Sequence, residues 1–364
     1  MIPVAEPLLG EKELAYVIDC VKSGWLSSLG EYVKKFETGF AHFCGVEYGV
    51  ATANGTVALH LVLAALGLGP GDEVILPSLT FVATANAVRY TGATPVLVDS
   101  EAETWNIDPA AVAAAITPRT RALIPVHLYG HPADMDPLRA LADEHGLYLI
   151  EDAAEAHGAR YKGQRAGGLG HAAIFSFYGN KIITTGEGGI VVTDDQDLAE
   201  RCFFLENQAR SPENPYWHPA VGFNYRMTNL QGALGLAQLE RIEEFIAIRK
   251  RNAALYLQCL AGVPGLTLPP HADWAENVYW MFTVLVEDGY GPDRDTLRRL
   301  LHERGIETRP VFHPIHTLPP YANGLSLPVA EAIGARGINL PSGATLTPAQ
   351  IEIVCDALRT IPGR

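Results

Sequence analysis

The stretch Phe175–Gly189, FSFYGNKIITTGEGG, decides how the rest of the chain is read. It sets one lysine, Lys181, between an aromatic and hydroxyl-bearing run and a run of small residues. No charged residue follows it before Glu187, and apolar or small side chains flank it on both sides. Burial in such a frame disfavours the ammonium form and lowers the pKa of the amine. A lysine that is neutral part of the time can attack an aldehyde and form a Schiff base. The plainer reading is a lysine whose stem packs on the surface while its head reaches water. The surrounding chain decides between the two.

Outward from this stretch, short apolar runs alternate with helical patterns. Leu147–Glu151 (LYLIE), Ala173–Phe177 and Gly189–Thr193 (GIVVT) read as strands, as do Glu73–Pro77 (EVILP), Thr94–Val98 (TPVLV) and Ala122–His127 (ALIPVH). Helices are expected over Phe81–Tyr90, Pro109–Ile116 and Pro137–His145. This alternation predicts an α/β fold with a mostly parallel central sheet covered by helices on both faces. Ligands of such sheets sit at the carboxyl ends of the strands, where Asp99, Asp152 and Ser176 fall. Nearer the start, a short strand leads through Ala53-Asn54-Gly55-Thr56 into a helix over Val57–Leu66. A small-residue turn opening a helix offers free N–H groups to an anion; an ordinary capped helix would need only Asn54 or Thr56 as its cap.

Helices are also expected at Glu11–Ser23 and, after Trp25-Leu26-Ser27-Ser28, up to about Cys44. Beyond Asp194 the pattern changes. A helix over Glu200–Asn207 is followed by a loop rich in proline and aromatics (Ser211–Asn224) and one long helix over Met227–Leu260. Short strands, a helix at Arg294–Arg304 and a last helix after Thr347-Pro348 complete the chain. The expected division is residues 1–240, an N-terminal arm and a large α/β domain, and residues 241–364, a linking helix and a smaller α+β domain.

Charged residues are 19% of the chain, below the usual quarter, which points to surface covered by another subunit. The net charge of −14 argues against nucleic acid or an anionic membrane as a partner. The five cysteines are dispersed and form no CxxC pair, so neither a disulfide framework nor a zinc site is expected, and a cytoplasmic protein fits. His127, His131, His313 and His316 lack convergent acid or cysteine partners, and no metal is expected. No basic leader with an apolar run is visible at the start, and no apolar stretch approaches a bilayer span.

An acid ending a strand (Asp152) is commonly just a helix cap. Enzymes that use pyridoxal phosphate place an Asp against the pyridine nitrogen and hold the aldehyde on a lysine. Here the chain runs in order through Asn54-Gly55-Thr56, Phe81 at a strand end, Asp152, then Ser176-x4-Lys181. With GWLSS, PSLTFVATANAV, PVHLYG, EDAAEAHGA, GFNYRMTNLQ and RPVFHPIH, this order resembles the nucleotide-sugar aminotransferase family of the aspartate-aminotransferase fold (fold type I) from end to end. FSFYGNKIITTGEGG and GIETRPVFHPIHTLPPY are similar to its perosamine-forming branch, which aminates C4 of GDP-4-keto-6-deoxymannose with glutamate.

The resemblance implies pyridoxal 5'-phosphate as cofactor, pyridoxamine 5'-phosphate as its half-reaction form, and L-glutamate and a keto-sugar nucleotide as substrates. It matches Lys181 to the Schiff-base lysine and Asp152 to the acid on the ring nitrogen. Glu155 matches the side chain near the phenolic oxygen, and Phe81 the aromatic stacked on the ring. Gly55, Thr56 and Ser176 match the phosphate site. Asn224 matches a residue that reaches the phosphate of the neighbouring subunit, which implies a homodimer with shared sites, or two such dimers in a tetramer. Trp25, Ser27, Ser28, Arg309 and His313 fall in segments that line the sugar site in relatives. Relatives that dehydrate C3 carry His where this chain has Lys181, so amination is expected. The alternatives are the same chemistry on a UDP- or dTDP-linked sugar, at C4 or C3, and a non-catalytic regulatory relative.

Overall fold

The computed structural model describes residues 1–361. In its first half the strands are β1 (Tyr48–Thr52), β2 (Glu73–Pro77), β3 (Thr94–Val98), β4 (Thr120–Leu123), β5 (Tyr148–Asp152), β6 (Arg160–Tyr161), β7 (Gln164–Arg165), β8 (Ala172–Ser176) and β9 (Gly189–Thr193). All but β6 and β7 join one sheet in the order β1-β9-β8-β5-β4-β2-β3. Only β9 runs against its neighbours; the other pairings are parallel.

Alternate residues of these strands enter two separate cores, as a pleated sheet buried on both faces requires. Ile150, Ile174 and Val191 pack with Leu59 and Val62 of helix α3, which opens at Gly55; Leu149, Phe175 and Ile190 pack on the other face with Phe36 and Phe40. The helices are α1 (Glu11–Ser23), α2 (Glu31–Cys44), α3 (Gly55–Ala65), α4 (Ala83–Thr91), α5 (Pro109–Ala115), α6 (Met135–His145) and α7 (Gln196–Glu206). Phe81 precedes α4 rather than lying in it, so its ring is not committed to a helix face. The strand expected over Ala122–His127 ends at Leu123. Pro125 has no N–H to continue the ladder, and Val126 keeps a single bridge, to Asp152.

The single helix expected over Met227–Leu260 is two, α8 (Asn229–Leu239) and α9 (Ile242–Leu260). The chain leaves helical geometry at Arg241 (φ −119°, ψ 7°). The cause is tertiary: α8 packs against α1 and α2, whereas α9 packs against a later helix, α12, and no straight rod reaches both. Arg241 fastens the corner by pairing with Glu13 and Glu244, each at 3.1 Å.

The remaining elements are β10 (Leu266–Thr267), β11 (Ala275–Glu276), β12 (Phe282–Val286), α10 (Arg294–Glu303), β13 (Arg309–Pro310), α11 (Pro328–Arg336), β14 (Gly337–Leu340) and α12 (Pro348–Thr360). The antiparallel sheet β10-β12-β14-β13 is backed by α9, α10 and α12 around Tyr256, Leu301, Ile338 and Val354. β11 instead joins the β6-β7 hairpin. The segment Ile2–Val4 also belongs to this layer. Ile2 bonds Gly305 and Glu307 through its backbone, Val4 bonds Ser342, and the Ile2 side chain enters the same core. Among the described residues no helix is long and apolar enough to cross a membrane, and no cluster of three His, Cys, Asp or Glu side chains could hold a metal ion.

Candidate active site

A cleft of about 760 Å³ opens where β5 and β8 end, against the start of α3. Asn54 leaves β1 in extended geometry and caps α3, its side chain accepting from the Val57 N–H at 3.0 Å. Position 55 has to be glycine, because a Cβ there would lie 2.8 Å from the Ser176 Cβ. Gly189 is as constrained, since its Cβ would meet the Asn54 carbonyl carbon at 2.5 Å. These approaches bring the Gly55–Thr56 amides beside Ser176. First-turn amides of a helix have no partner within it, and they form the positive end of its dipole. They could hold a phosphate, with the Ser176 hydroxyl adding a donor.

Asp152 ends β5 on the α4 side. Its Oδ2 accepts from Thr84 Oγ1 at 2.7 Å and its Oδ1 from the Ala154 N–H at 3.2 Å. Burial pushes its carboxyl up; the Thr84 and Ala154 hydrogen bonds and the nearby Lys181 charge oppose this. Glu155 is also pushed up by burial, with Lys181 opposing, and its Oε2 accepts from the Tyr129 N–H at 2.7 Å. The Lys181 amine lies 4.0 Å from Glu155 Oε1. Burial lowers its pKa, and the Glu155 and Asp152 charges pull it back up. An amine held between these tendencies is easier to deprotonate than a surface lysine.

Of the residues singled out from sequence, Gly55, Thr56, Phe81, Asp152, Glu155 and Ser176 line this cleft, together with Lys181 and Arg309. Phe81 stands 55% exposed at the mouth, its ring 5.7 Å from that of Phe312. Five others do not line it. Trp25 is 58% exposed, and its carbonyl and that of Ser27 are held by Asn229. Ser28 lies on the same turn, and His313 is exposed beside β13. Asn224 sits on an exposed segment, where it bridges Asn207 and accepts from Arg226 at 3.5 Å.

Four residues of the site were missed. Thr84 was hidden within an expected helix. Tyr129, buried at φ 53°, turns its N–H to Glu155 and stacks its ring between Trp280 and Phe312. Its one sequence signal was the Tyr-Gly pair in HLYGH. Trp280 places its ring 3.7 Å from the Lys181 amine. Arg249, buried in α9, donates to the carbonyls of Trp280, Ser342 and Lys181, and burial pushes it down to about 10.

The glycine-lined cradle, the buried carboxylate and the buried amine fit pyridoxal phosphate at its phosphate, ring nitrogen and aldehyde. Comparison with known proteins agrees. The model of the DegT/DnrJ/EryC1/StrS aminotransferase family matches residues 7–359. The chain is 52% identical to a GDP-perosamine synthase of Caulobacter vibrioides, over 98% of this chain and 97% of that one. It is 45% identical to a dTDP-3-amino-3,4,6-trideoxy-alpha-D-glucose transaminase of Streptomyces venezuelae, over 91% and 87%. A sugar aminotransferase of Streptococcus pneumoniae, solved in its PLP form, superposes with a TM-score of 0.95 at 28% identity, covering 100% of this chain and 98% of that one. The chain therefore belongs to the DegT/DnrJ/EryC1/StrS aminotransferase family, and it is a pyridoxal phosphate-dependent transaminase of fold type I.

Proposed function

We propose that the protein moves the amino group of L-glutamate to C4 of GDP-4-keto-6-deoxymannose, giving GDP-perosamine. The observation that carries the chemistry is the buried Lys181 amine, 4.0 Å from Glu155 and sharing a cleft with Asp152. The 52% identity to a perosamine synthase supports the substrate.

Bound pyridoxal phosphate supplies an aldehyde that carries the amino group and a ring that accepts electrons. The protein's part is positional and protonic. Gly55, Thr56 and Ser176 would hold the phosphate, and Phe81 would cover the ring. Asp152, whose anionic form the Thr84 and Ala154 donors favour against burial, would hold the ring-nitrogen proton. The Lys181 Nζ takes the proton from the donor's Cα and returns it on the far side of the exchange; with the keto-sugar it runs the same transfer in reverse. Glu155, pushed up to about 7 by burial with Lys181 opposing, would stand near the phenolic oxygen. Arg309, which lines the cleft from β13, would face the sugar nucleotide.

Trp25, Ser27, Ser28, Asn224 and His313 would act at this site from or against a second copy, in a homodimer with shared sites. Support comes from exposed apolar side chains: Leu14, Ile18 and Val21 along α1, and Tyr216, Trp217 and Val221 in the loop leading to Asn224. We place the protein in the cytoplasm, which its five free thiols suit. A second reading, transfer to a dTDP-linked keto-sugar, is favoured by the 45% identity to the Streptomyces transaminase.

One experiment tests both the chemistry and the substrate. Purified protein is offered a panel of GDP-, dTDP- and UDP-linked keto-sugars with glutamate, and the amino position of the product is read by NMR. Amination at C4 of the GDP sugar, lost in Lys181→Ala, is expected. No product from any keto-sugar would sink the proposal, and C3 amination of a dTDP sugar would replace it with the second reading.

A further inference from the structure

We propose that Trp280 is the dock of the Lys181 amine, a positioning residue that holds Nζ over the face of its indole whenever the amine is not covalently engaged. This rests on the reading of Lys181 as the proton carrier. Nζ lies 3.7 Å from the indole centroid. The attraction of a cation for this face is largest for Trp and grows when water is excluded. Trp280 is only 4% exposed.

The ring is built to stay there. Its Nε1–H donates to the carbonyl of Asn180, the residue before Lys181, at 2.8 Å. Arg249 reaches the Trp280 carbonyl at 3.0 Å and the Lys181 carbonyl at 3.5 Å, so one buried guanidinium ties both backbones. Behind the indole, the Tyr129 ring stacks at 6.1 Å and 18°. Gly130 permits this, because a Cβ there would come 2.9 Å from the Trp280 N.

The dock answers a chemical need. A lysine released into a cleft of this size has four rotatable bonds, and a proton carrier works only within reach of the carbon it serves. On taking a proton the amine becomes a buried cation, with Glu155 its nearest acid at 4.0 Å. The indole face gives that cation a second partner that cannot itself take the proton, so the proton stays available for return.

The test titrates Lys181 in cofactor-free protein by competitive acetylation read by mass spectrometry, in wild type, Trp280→Phe and Trp280→Leu. Removing the aromatic face should lower the midpoint in Trp280→Leu by about one pH unit, tenfold in the ratio of ammonium to amine. Trp280→Phe, which keeps a weaker face, should fall by less than half as much. A midpoint that stays or rises in Trp280→Leu overturns the proposal, because water let into the site would resolvate the ammonium. A fall in Trp280→Phe as large as in Trp280→Leu also overturns it. If Trp280→Leu does not fold, Trp280→Phe alone decides: a small fall supports the dock and none refutes it. Borohydride reduction of wild type loaded with pyridoxal phosphate, followed by peptide mapping, separates the two readings. A label on another lysine refutes Lys181 as the carrier. A label on Lys181 with unshifted midpoints refutes only the dock.

Discussion

Glu151 and Asp152 are consecutive on β5, yet the pleat sends their carboxyls to opposite faces of the sheet. Glu151, on the α2 and α6 side, is saturated. Its oxygens accept from the backbone N–H groups of Gly167 (2.8 Å), Leu169 (2.7 Å) and Gly170 (2.9 Å), and from His127 Nε2 at 3.0 Å. His127 accepts from the Ala133 N–H at Nδ1, which fixes the tautomer that donates from Nε2. Asp152, on the α4 side, has two protein donors and turns its remaining acceptor capacity into the cleft. The same chemical group thus serves as a structural staple on one face and is left open to a ligand on the other. The number of donors around each carboxyl decides which.

This contrast can be broken from either side. The largest effect is expected from Asp152→Asn, which keeps the shape and loses the anion. Turnover should fall by about a thousandfold, within the range for a lost proton-holding group, while the melting temperature barely moves. Glu151→Gln should do the reverse. Its amide N–H₂ would face backbone donors, costing about 3 kcal/mol in urea denaturation, with activity per folded molecule unchanged. A loss of turnover in that variant without a loss of stability would erase the distinction.

Thr84→Val removes one of the two donors on Asp152 and should weaken cofactor retention about tenfold in dialysis, with Thr84→Ser restoring it. The smallest effect sharpens the rule with a third buried carboxyl. Glu206 has one oxygen with no hydrogen-bond partner, and burial pushes it up to about 9. Its folded state keeps a proton that the unfolded chain releases near 4.5, so stability declines as pH rises from about 4.5 to 9. Glu206→Gln should match wild type at pH 4 and lose less stability than wild type as pH rises to 8, read by urea denaturation at both pH values.

Much of this could be read from the sequence where a local pattern and its tertiary use agree. The strands Glu73–Pro77, Thr94–Val98 and Gly189–Thr193 fall where their apolar runs and flanking breakers put them. The helix Glu11–Ser23 does so too. Agreement failed where tertiary partners change without a local signal. The helical pattern continues through Glu240–Arg241, and only the separate packing of α8 and α9 turns the chain there. The site divides in the same way. Lys181, Asp152, Gly55 and Ser176 stand in contiguous motifs whose chemistry is written locally. Trp280, Tyr129 and Arg249 matter because folding carries them to Lys181 from distant segments. No spacing rule finds a tryptophan 99 positions away, although its ring touches the amine.

The Ile2–Val4 segment has a consequence for how the molecule is made. Its backbone partners are Gly305, Glu307 and Ser342, so a stretch made early is needed to finish a layer that lies some three hundred residues further along the chain. At 5–20 residues per second, roughly 20–70 s separate the two on the ribosome. During that interval the α/β sheet can assemble, while the Ile2 side chain has no core to dock in. Closing so long a loop carries an entropic cost that the Ile2–Val4 contacts with the C-terminal layer have to offset.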